Sequence, residues 1–254
     1  MTKKGLMFSG MKTHGAVVSP EAKWDPRQGD AARGIGPRHG AAMSERKLSQ
    51  REGEKAFFRC HDPEVLRVLR QSVVGIAGAG GLGSNAAVAL VRAGIGKLII
   101  VDDDRIEIPN LNRQQYFWSQ VGRLKVEALA ETLRKIHHFT EVAILPVRIN
   151  RRNVAPLFAE VDLLIEAFDR AEEKQMLIEA WLAAFPDRPI IAASGLSGYG
   201  GNRKIRERRI GNLFLIGDES SEPSPGVSPM APRVGVVACM QANLAVELLV
   251  RRSR

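Results

Sequence analysis

From residue 73 onward the apolar residues fall into short blocks that alternate between two spacings. VVGIA at 73–77, KLIIV at 97–101, EVAILPV at 141–147, VDLLIEAF at 161–168 and PIIAA at 189–193 are brief runs rich in β-branched side chains. Short apolar runs bounded by turn residues predict buried parallel strands. Between them the period lengthens. GSNAAVALVRA at 83–93 favours helix and is stopped by Gly94, and residues 121–137 place Val121, Leu124, Ala128, Leu129, Leu133 and Ile136 on roughly one helical face. A further helix is expected over 171–184 and a last one over about 234–251, while NRKIRERRIGNLFLIGD at 202–218 reads as two polar-alternating strands around Gly211. Strand, helix and strand in repetition make βαβ units. The predicted fold is α/β: a Rossmann-like, mostly parallel sheet flanked by helices, with additional antiparallel strands in the C-terminal part.

Residues 1–45 do not share this pattern. They mix Gly, Pro, Lys and Arg without sustained periodicity and hold few large apolar residues to offset chain entropy, so they read as a basic, disordered extension in which Met43 is a possible alternative start. Residues 46–254 read as a single domain. The net charge of +9 is concentrated accordingly: the first 49 residues carry nine Lys or Arg against four Asp or Glu. The remainder is mildly basic and holds no aromatic-interleaved basic patch, so nucleic acid is not an expected partner. No run reaches the roughly 18–20 consecutive apolar residues of a membrane span, and the N-terminus has charge and glycine where a signal peptide has its apolar stretch. A cytoplasmic location without membrane attachment is the expectation.

GAGGLG at 78–83 fits G-x-G-x-x-G between a predicted strand and a predicted helix. Gly78, Gly80, Gly81 and Gly83 permit a tight turn and close approach of the backbone to a phosphate or ribose at the positive end of the helix. Asp102 follows at the end of the second strand, where a carboxylate accepts from ribose hydroxyls. The next residues separate ATP from a nicotinamide cofactor. DDDRIEIPNLNRQ brings Asp104, Asn110, Arg113 and Gln114 close behind Asp102, and Lys125 follows. A dehydrogenase has little use for so many phosphate-seeking groups there, whereas Arg and Lys suit a triphosphate whose charge is held and then neutralised as pyrophosphate leaves.

GAGGLGS, VDDD, PNLNRQQYF, GRLKVEAL, EAFDRAEEK and APRVG together resemble the adenylyltransferases related to ubiquitin-activating enzyme, the family of ThiF, MoeB and HesA, over about residues 69–250. FDRAEEK, AASGLSGYGG and MAPRVGVVACMQAN are most similar to the shorter ThiF-like branch. The resemblance implies that the C-terminal Gly-Gly carboxylate of a ThiS-like, ubiquitin-fold sulfur carrier attacks the α-phosphate of ATP. The products would be an acyl adenylate and pyrophosphate, in thiazole and thiamine synthesis. Carriers for molybdopterin or cysteine synthesis, or a non-catalytic carrier-binding relative, are the alternatives. It further implies that Asp102 holds the ribose and that Asp104 lies near the nucleotide. Asn110, Arg113, Gln114 and Lys125 would surround the phosphates, and Asp169 would organise Mg²⁺. Arg113, Lys125 and Asp169 are the expected catalytic set. Asp169 has a second reading, as cap of the helix that starts near Ala171.

Some family features are absent from the sequence. Cys60 and Cys239 are its only cysteines and form no CxxC pair, so neither zinc nor a disulfide framework is expected. The segment after the fifth strand, SGLSGYGGNRK, has Ser194 and Ser197 but no cysteine. Adenylation alone is therefore expected, with sulfur inserted by a separate donor. Cys239 reads as a packed thiol in an apolar helix, and Cys60 beside His61 as an ordinary thiol, since adjacent side chains point apart. Asp169-Arg170 stands where relatives commonly show Asp-Asn. The family also implies a homodimer whose partner contributes an arginine from the segment before strand one, with Arg51, Arg59, Arg67 and Arg70 as candidates.

Overall fold

The computed structural model describes residues 49–253; the extension expected at 1–45, with Met43, lies outside the described residues. The chain begins with two short helices, α1 (Gln50–Phe57) and α2 (Pro63–Gln71). It continues through β1 (Val73–Ala77), α3 (Gly81–Ala93), β2 (Lys97–Val101), α4 (Lys125–Ile136), β3 (Glu141–Leu145), α5 (Val154–Leu157) and β4 (Leu163–Glu166). It closes with α6 (Ala171–Ala184), β5 (Ile190–Ala193), β6 (Arg206–Ile210), β7 (Leu213–Gly217) and α7 (Ala231–Arg252).

Seven strands form one sheet in the order β3-β2-β1-β4-β5-β7-β6. All neighbours run parallel except β6, which turns back antiparallel on β7 through Gly211 and occupies the edge. The chain winds outward from β1 in one direction and resumes with β4 on the other side, leaving a switch point between β1 and β4. The helix expected over 121–137 begins at Lys125; Leu124 precedes it in an extended conformation.

The strands alternate strictly. Val74, Ile76, Leu98, Ile100, Leu163, Ile165, Ile191 and Phe214 point to one core, shared with Leu69 and with α3, α4 and α7. Ala77, Ile99, Val101, Leu164 and Ile190 point to the other, filled by Phe158, Leu177 and Trp181 beneath α5 and α6. Both faces of the central strands are covered, which explains why their sequences read as continuous apolar runs. The 22-residue α7 is long and apolar enough to cross a membrane by length and composition. Here it is a core helix: Val234, Val237, Ala238, Leu244, Ala245 and Leu249 are buried with α3 against the sheet.

The helices α1 and α2 carry their own stop and start chemistry. Ser49 and Glu52 form a reciprocal capping box, and Asp62 accepts from the amides of Glu64 and Val65 with Pro63 at the first helical position. They meet the domain through Phe58, Arg70, His137 and Phe139. Arg70 pairs with Glu54, donates to Phe139 O at 3.1 Å and lies 4.8 Å over the Phe58 ring. Arg67 pairs with Glu64, whereas Arg51 and Arg59 are exposed. Of the four arginines considered for a partner subunit, Arg70 is thus committed within its own chain.

His137 is a pH-sensitive member of this seam. Its Nδ1 accepts from the amide of Phe139 at 3.1 Å, which leaves Nε2 to donate to Val91 O at 2.8 Å. Both nitrogens are satisfied only in the neutral ring, and burial lowers its pKa below the ordinary value. A histidine with a depressed folded pKa contributes fully above its unfolded pKa, about 6.5, and its contribution is lost as pH falls below that. The thermal midpoint should therefore drop more steeply below about pH 6.5 in the wild type than in His137→Leu. Identical slopes in a pH series of melting curves would exclude this role.

Candidate functional site

A cavity of about 650 Å³ opens at the C-terminal ends of β1, β2, β4 and β5, the crevice in which doubly wound sheets take their ligands. Its floor is the turn from β1 into α3. Gly78 has φ +98°, and a Cβ on Gly83 would sit 1.9 Å from Gly78 O, so helix and turn touch backbone to backbone. A Cβ on Gly80, by contrast, meets nothing nearer than Gln114 Nε2 at 3.8 Å and would occupy cavity space. Gly83 thus packs below the site, while Gly78, Gly80 and Gly81 line it. The first-turn amides of α3 have no intrahelical acceptors and, with the helix dipole, favour an anion there.

Asp102 closes the end of β2. One carboxylate oxygen accepts from Ala79 N at 2.6 Å and the other from Asp104 N at 2.7 Å, tying the glycine turn to the acidic segment that follows. Burial lifts its pKa above the ordinary carboxyl range, opposed by these two amides and by Lys125. Asp104 is exposed and ion-paired with the buried Lys125 at 2.7 Å.

The PNLNRQQY segment is stitched to the glycine helix. Ser84 Oγ donates to Gly80 O at 2.6 Å and accepts from Gln115 N at 3.1 Å. Asn85 Nδ2 donates to Gly81 O and Arg113 O, Asn85 Oδ1 accepts from Gln115 Nε2, and Tyr116 OH donates to Ala79 O. Ser84, Asn85 and Tyr116 were not singled out in the sequence, although the first two directly follow the glycine motif. The result sets Arg113 and Gln114 in the cavity wall. Gln114 Oε1 is buried and has no partner among the described residues, an acceptor that a donor in the cavity would satisfy. Asn110 does not line the cavity. Its Oδ1 accepts from Glu107 N at 3.0 Å and shapes a one-turn 3-10 helix.

On the far wall Asp169 is exposed, lines the cavity and has no hydrogen bond or ion pair among the described residues. The reading of Asp169 as helix cap is corrected: Arg170 occupies the N-cap of α6, without a side-chain cap bond. A carboxylate facing this cavity suits a hard divalent cation that keeps water and phosphate as its other ligands. Asp102, Asp103 and Asp104 form the other carboxylate cluster among the described residues, though Asp102 and Asp104 already serve amides and Lys125.

Ser194, Ser197, Ser221, Glu222 and Pro229 complete the rim. The segment 219–230 is tied down at both ends. Asp218 Oδ1 accepts from Ser220 N and Ser221 N, Asp218 pairs with Arg233 at 2.5 Å with both side chains buried, and Gly198 N donates to Ser228 O. Cys239 is exposed on α7, not packed as its sequence context suggested, because it falls on the outward stripe with Val236 and Asn243. Cys60 is exposed as well, and the neighbouring His61 ring packs edge-on against Phe58.

A doubly wound sheet with a glycine turn, a strand-end carboxylate and cations at its switch point defines a nucleotide-binding protein of the α/β class. The ThiF family profile matches residues 54–254, and the chain belongs to the ThiF family. Among curated relatives, the adenylyltransferase and sulfurtransferase UBA4 of Kluyveromyces lactis is 32% identical over 188 residues, covering 71% of this chain and 42% of the relative. UBA4 of Eremothecium gossypii is 31% identical over 190 residues, with the same two coverages. The chain spans less than half the length of these relatives. Among solved structures, E. coli tRNA N6-threonylcarbamoyladenosine dehydratase, TcdA, with ATP aligns with a TM-score of 0.72 at 20% identity, covering 81% of this chain and 98% of that one. E. coli MccB with AMPCPP and MccA gives 0.59 at 22% identity, covering 74% and 58%. At these identities the structural likeness establishes the fold.

The two glycines make separable predictions. Gly83→Ala should cost about 3 kcal/mol or more, since Gly78 O belongs to backbone that cannot step aside. Gly80→Ala should lose much less stability yet weaken ATP binding at least about tenfold by filling the phosphate approach. Calorimetric binding and melting curves of both variants check this, and unimpaired ATP binding by folded Gly80→Ala would remove the turn from the site.

Proposed function

We propose that the chain adenylates a carboxylate with ATP, and that the carboxylate is the C-terminal Gly-Gly end of a ThiS-like sulfur carrier in thiazole synthesis. One observation carries the reading: the glycine turn, Asp102, the cations Arg113 and Lys125, and an uncommitted Asp169 all face one cavity. The first-turn amides of α3 receive a phosphate, Asp102 accepts from the ribose, and Arg113 and Lys125 hold the triphosphate. The carrier's carboxylate is ionised at neutral pH and needs no general base. Its oxygen attacks the α-phosphorus, the bond to the bridging oxygen breaks, and pyrophosphate leaves with that electron pair. Lys125 is held by Asp104 before the reaction and meets the growing negative charge afterwards. Asp169 is the residue that would hold Mg²⁺, which supplies further neutralisation of the phosphates.

The carrier class rests on the FDRAEEK, AASGLSGYGG and MAPRVG strings, and a separate protein would supply the sulfur, since the cavity lining includes no cysteine. A homodimer is part of this proposal. Ile108, Phe117, Trp118 and Val121, which flank the PNLNRQQY segment in sequence, are exposed apolar side chains that a second copy would cover.

The test is ATP–pyrophosphate exchange with a ThiS-type carrier ending in Gly-Gly, beside the same carrier lacking its last glycine. Exchange should require the intact tail, and failure with every ubiquitin-fold carrier despite ATP binding would refute the acceptor class. Arg113→Ala and Lys125→Ala should each slow the exchange by about 10²–10³-fold. Wild-type exchange in both would remove them from the catalytic set.

A further inference from the structure

At the cavity wall, where Lys174 is one of the lining residues, stands an ion pair that the reaction described above does not use. Glu166 ends β4 and is 0% exposed. Its Oε2 is paired with Lys174 Nζ and also accepts from Ala193 N at 3.4 Å, and its Oε1 accepts from Phe168 N at 2.7 Å. Lys174 Nζ additionally reaches Phe168 O at 3.5 Å. Gln241 of α7 donates to the backbone oxygens of Glu166 and Ile191 at 3.1 and 3.4 Å, bracing the same two strands from the other face.

Stability gives no reason for this arrangement. A buried ion pair recovers its desolvation cost only with good geometry, and apolar residues of similar volume are often neutral or better. Lys174 also stands in the first turn of α6, where a cation opposes the helix dipole. The contacts have one thing in common: they fix residues 167–169, the turn that carries Asp169 into the cavity, and lock it to the end of β5, where Ala193 and Ser194 form the adjoining wall.

We propose that Glu166 and Lys174 are positioning residues, a pair with its carboxylate buried and its ammonium at the cavity wall, that sets where the Asp169 carboxylate stands relative to the bound nucleotide. This rests on the nucleotide reading of the cavity and assigns the pair no contact with the reacting atoms. Lys174 holds Glu166, Glu166 holds the Phe168 amide, and the next residue is Asp169. Residues that orient a metal ligand typically change metal affinity by about 10–100-fold when replaced.

The test uses ATP binding by calorimetry, with and without Mg²⁺, on the full chain, together with melting curves. Wild type and Asp169→Asn establish how much Mg²⁺ strengthens ATP binding and how much of that passes through Asp169. Lys174→Met should lose about tenfold or more of the Mg²⁺-dependent gain, over and above whatever its loss of charge in the cavity wall costs ATP alone. Lys174→Arg should recover most of the gain. The double variant Glu166→Leu/Lys174→Met guards against misfolding, because apolar replacement restores packing without restoring the bond to Phe168 N. It should melt near the wild type and still lack the gain. A folded double variant with the full Mg²⁺-dependent gain would show the pair to be purely structural and overturn the proposal. Absence of any gain in the wild type is a different failure: it would remove Mg²⁺ from the nucleotide reading, and the positioning role with it.

Discussion

Everything at this site hangs on one contact that admits no side chain. With Gly83 pressed onto the carbonyl of Gly78, α3 begins immediately above the end of β1 and aims its free amides along the sheet's edge. A single methyl at 83 would lift the helix off the strand. Because α3 also packs along α7, the lift would reach the second half of the fold, where Val234 lies 3.1 Å from the Cβ position of Gly81. Two backbone segments at van der Waals distance therefore set the registration between the nucleotide turn and the C-terminal helix.

Around that contact the polar groups divide into those that build and those that face the ligand. Ser84, Asn85, Tyr116, Asn110, Glu166 and Asp218 are consumed by amides, carbonyls or buried cations. Gln114 and Asp169 are left with unspent acceptor atoms, while Arg113 meets only a carbonyl and the Asn112 side chain. This separation gives rigidity on one side and unpaid electrostatics on the other, which is the arrangement that preorganised charge stabilisation requires. Lys125 belongs to both groups, since its partner Asp104 is exposed and can exchange it for a phosphate.

The sheet was legible from sequence because its strands are apolar on both faces and its glycines mark the turns. The nucleotide turn was legible for the same reason: only glycine satisfies both a positive φ at 78 and a backbone contact at 83. Other features escaped for physical reasons. The helices α1 and α2 are eight and nine residues long, and between them they bury only Val68 and Leu69, too few positions to declare a core-facing helix. Glu166 sits inside an apolar run, where a lone charge looks like the strand's end, and its value appears only when Lys174 folds back across the first turn of α6. Cys239 repeats the point in reverse: a helix can be apolar through most of its length and still place one thiol outside. Asn110 shows that motif membership does not reveal whether a polar atom is spent on ligand or on backbone.

The antiparallel strand β6 has a consequence for the molecule as an object in a crowded solution. Its outer side is an open sheet edge, and over five positions it carries Arg206, Glu207, Arg208, Arg209 and Ile210, all exposed. A second strand docking there would have to desolvate this row of charged side chains, a device by which natural sheets disfavour such pairing. Three arginines on the strand, one of them paired with Glu219, make this edge a charged one. Charge on an open edge is the means by which sheets discourage added strands, and here it falls on the last strand of the sheet.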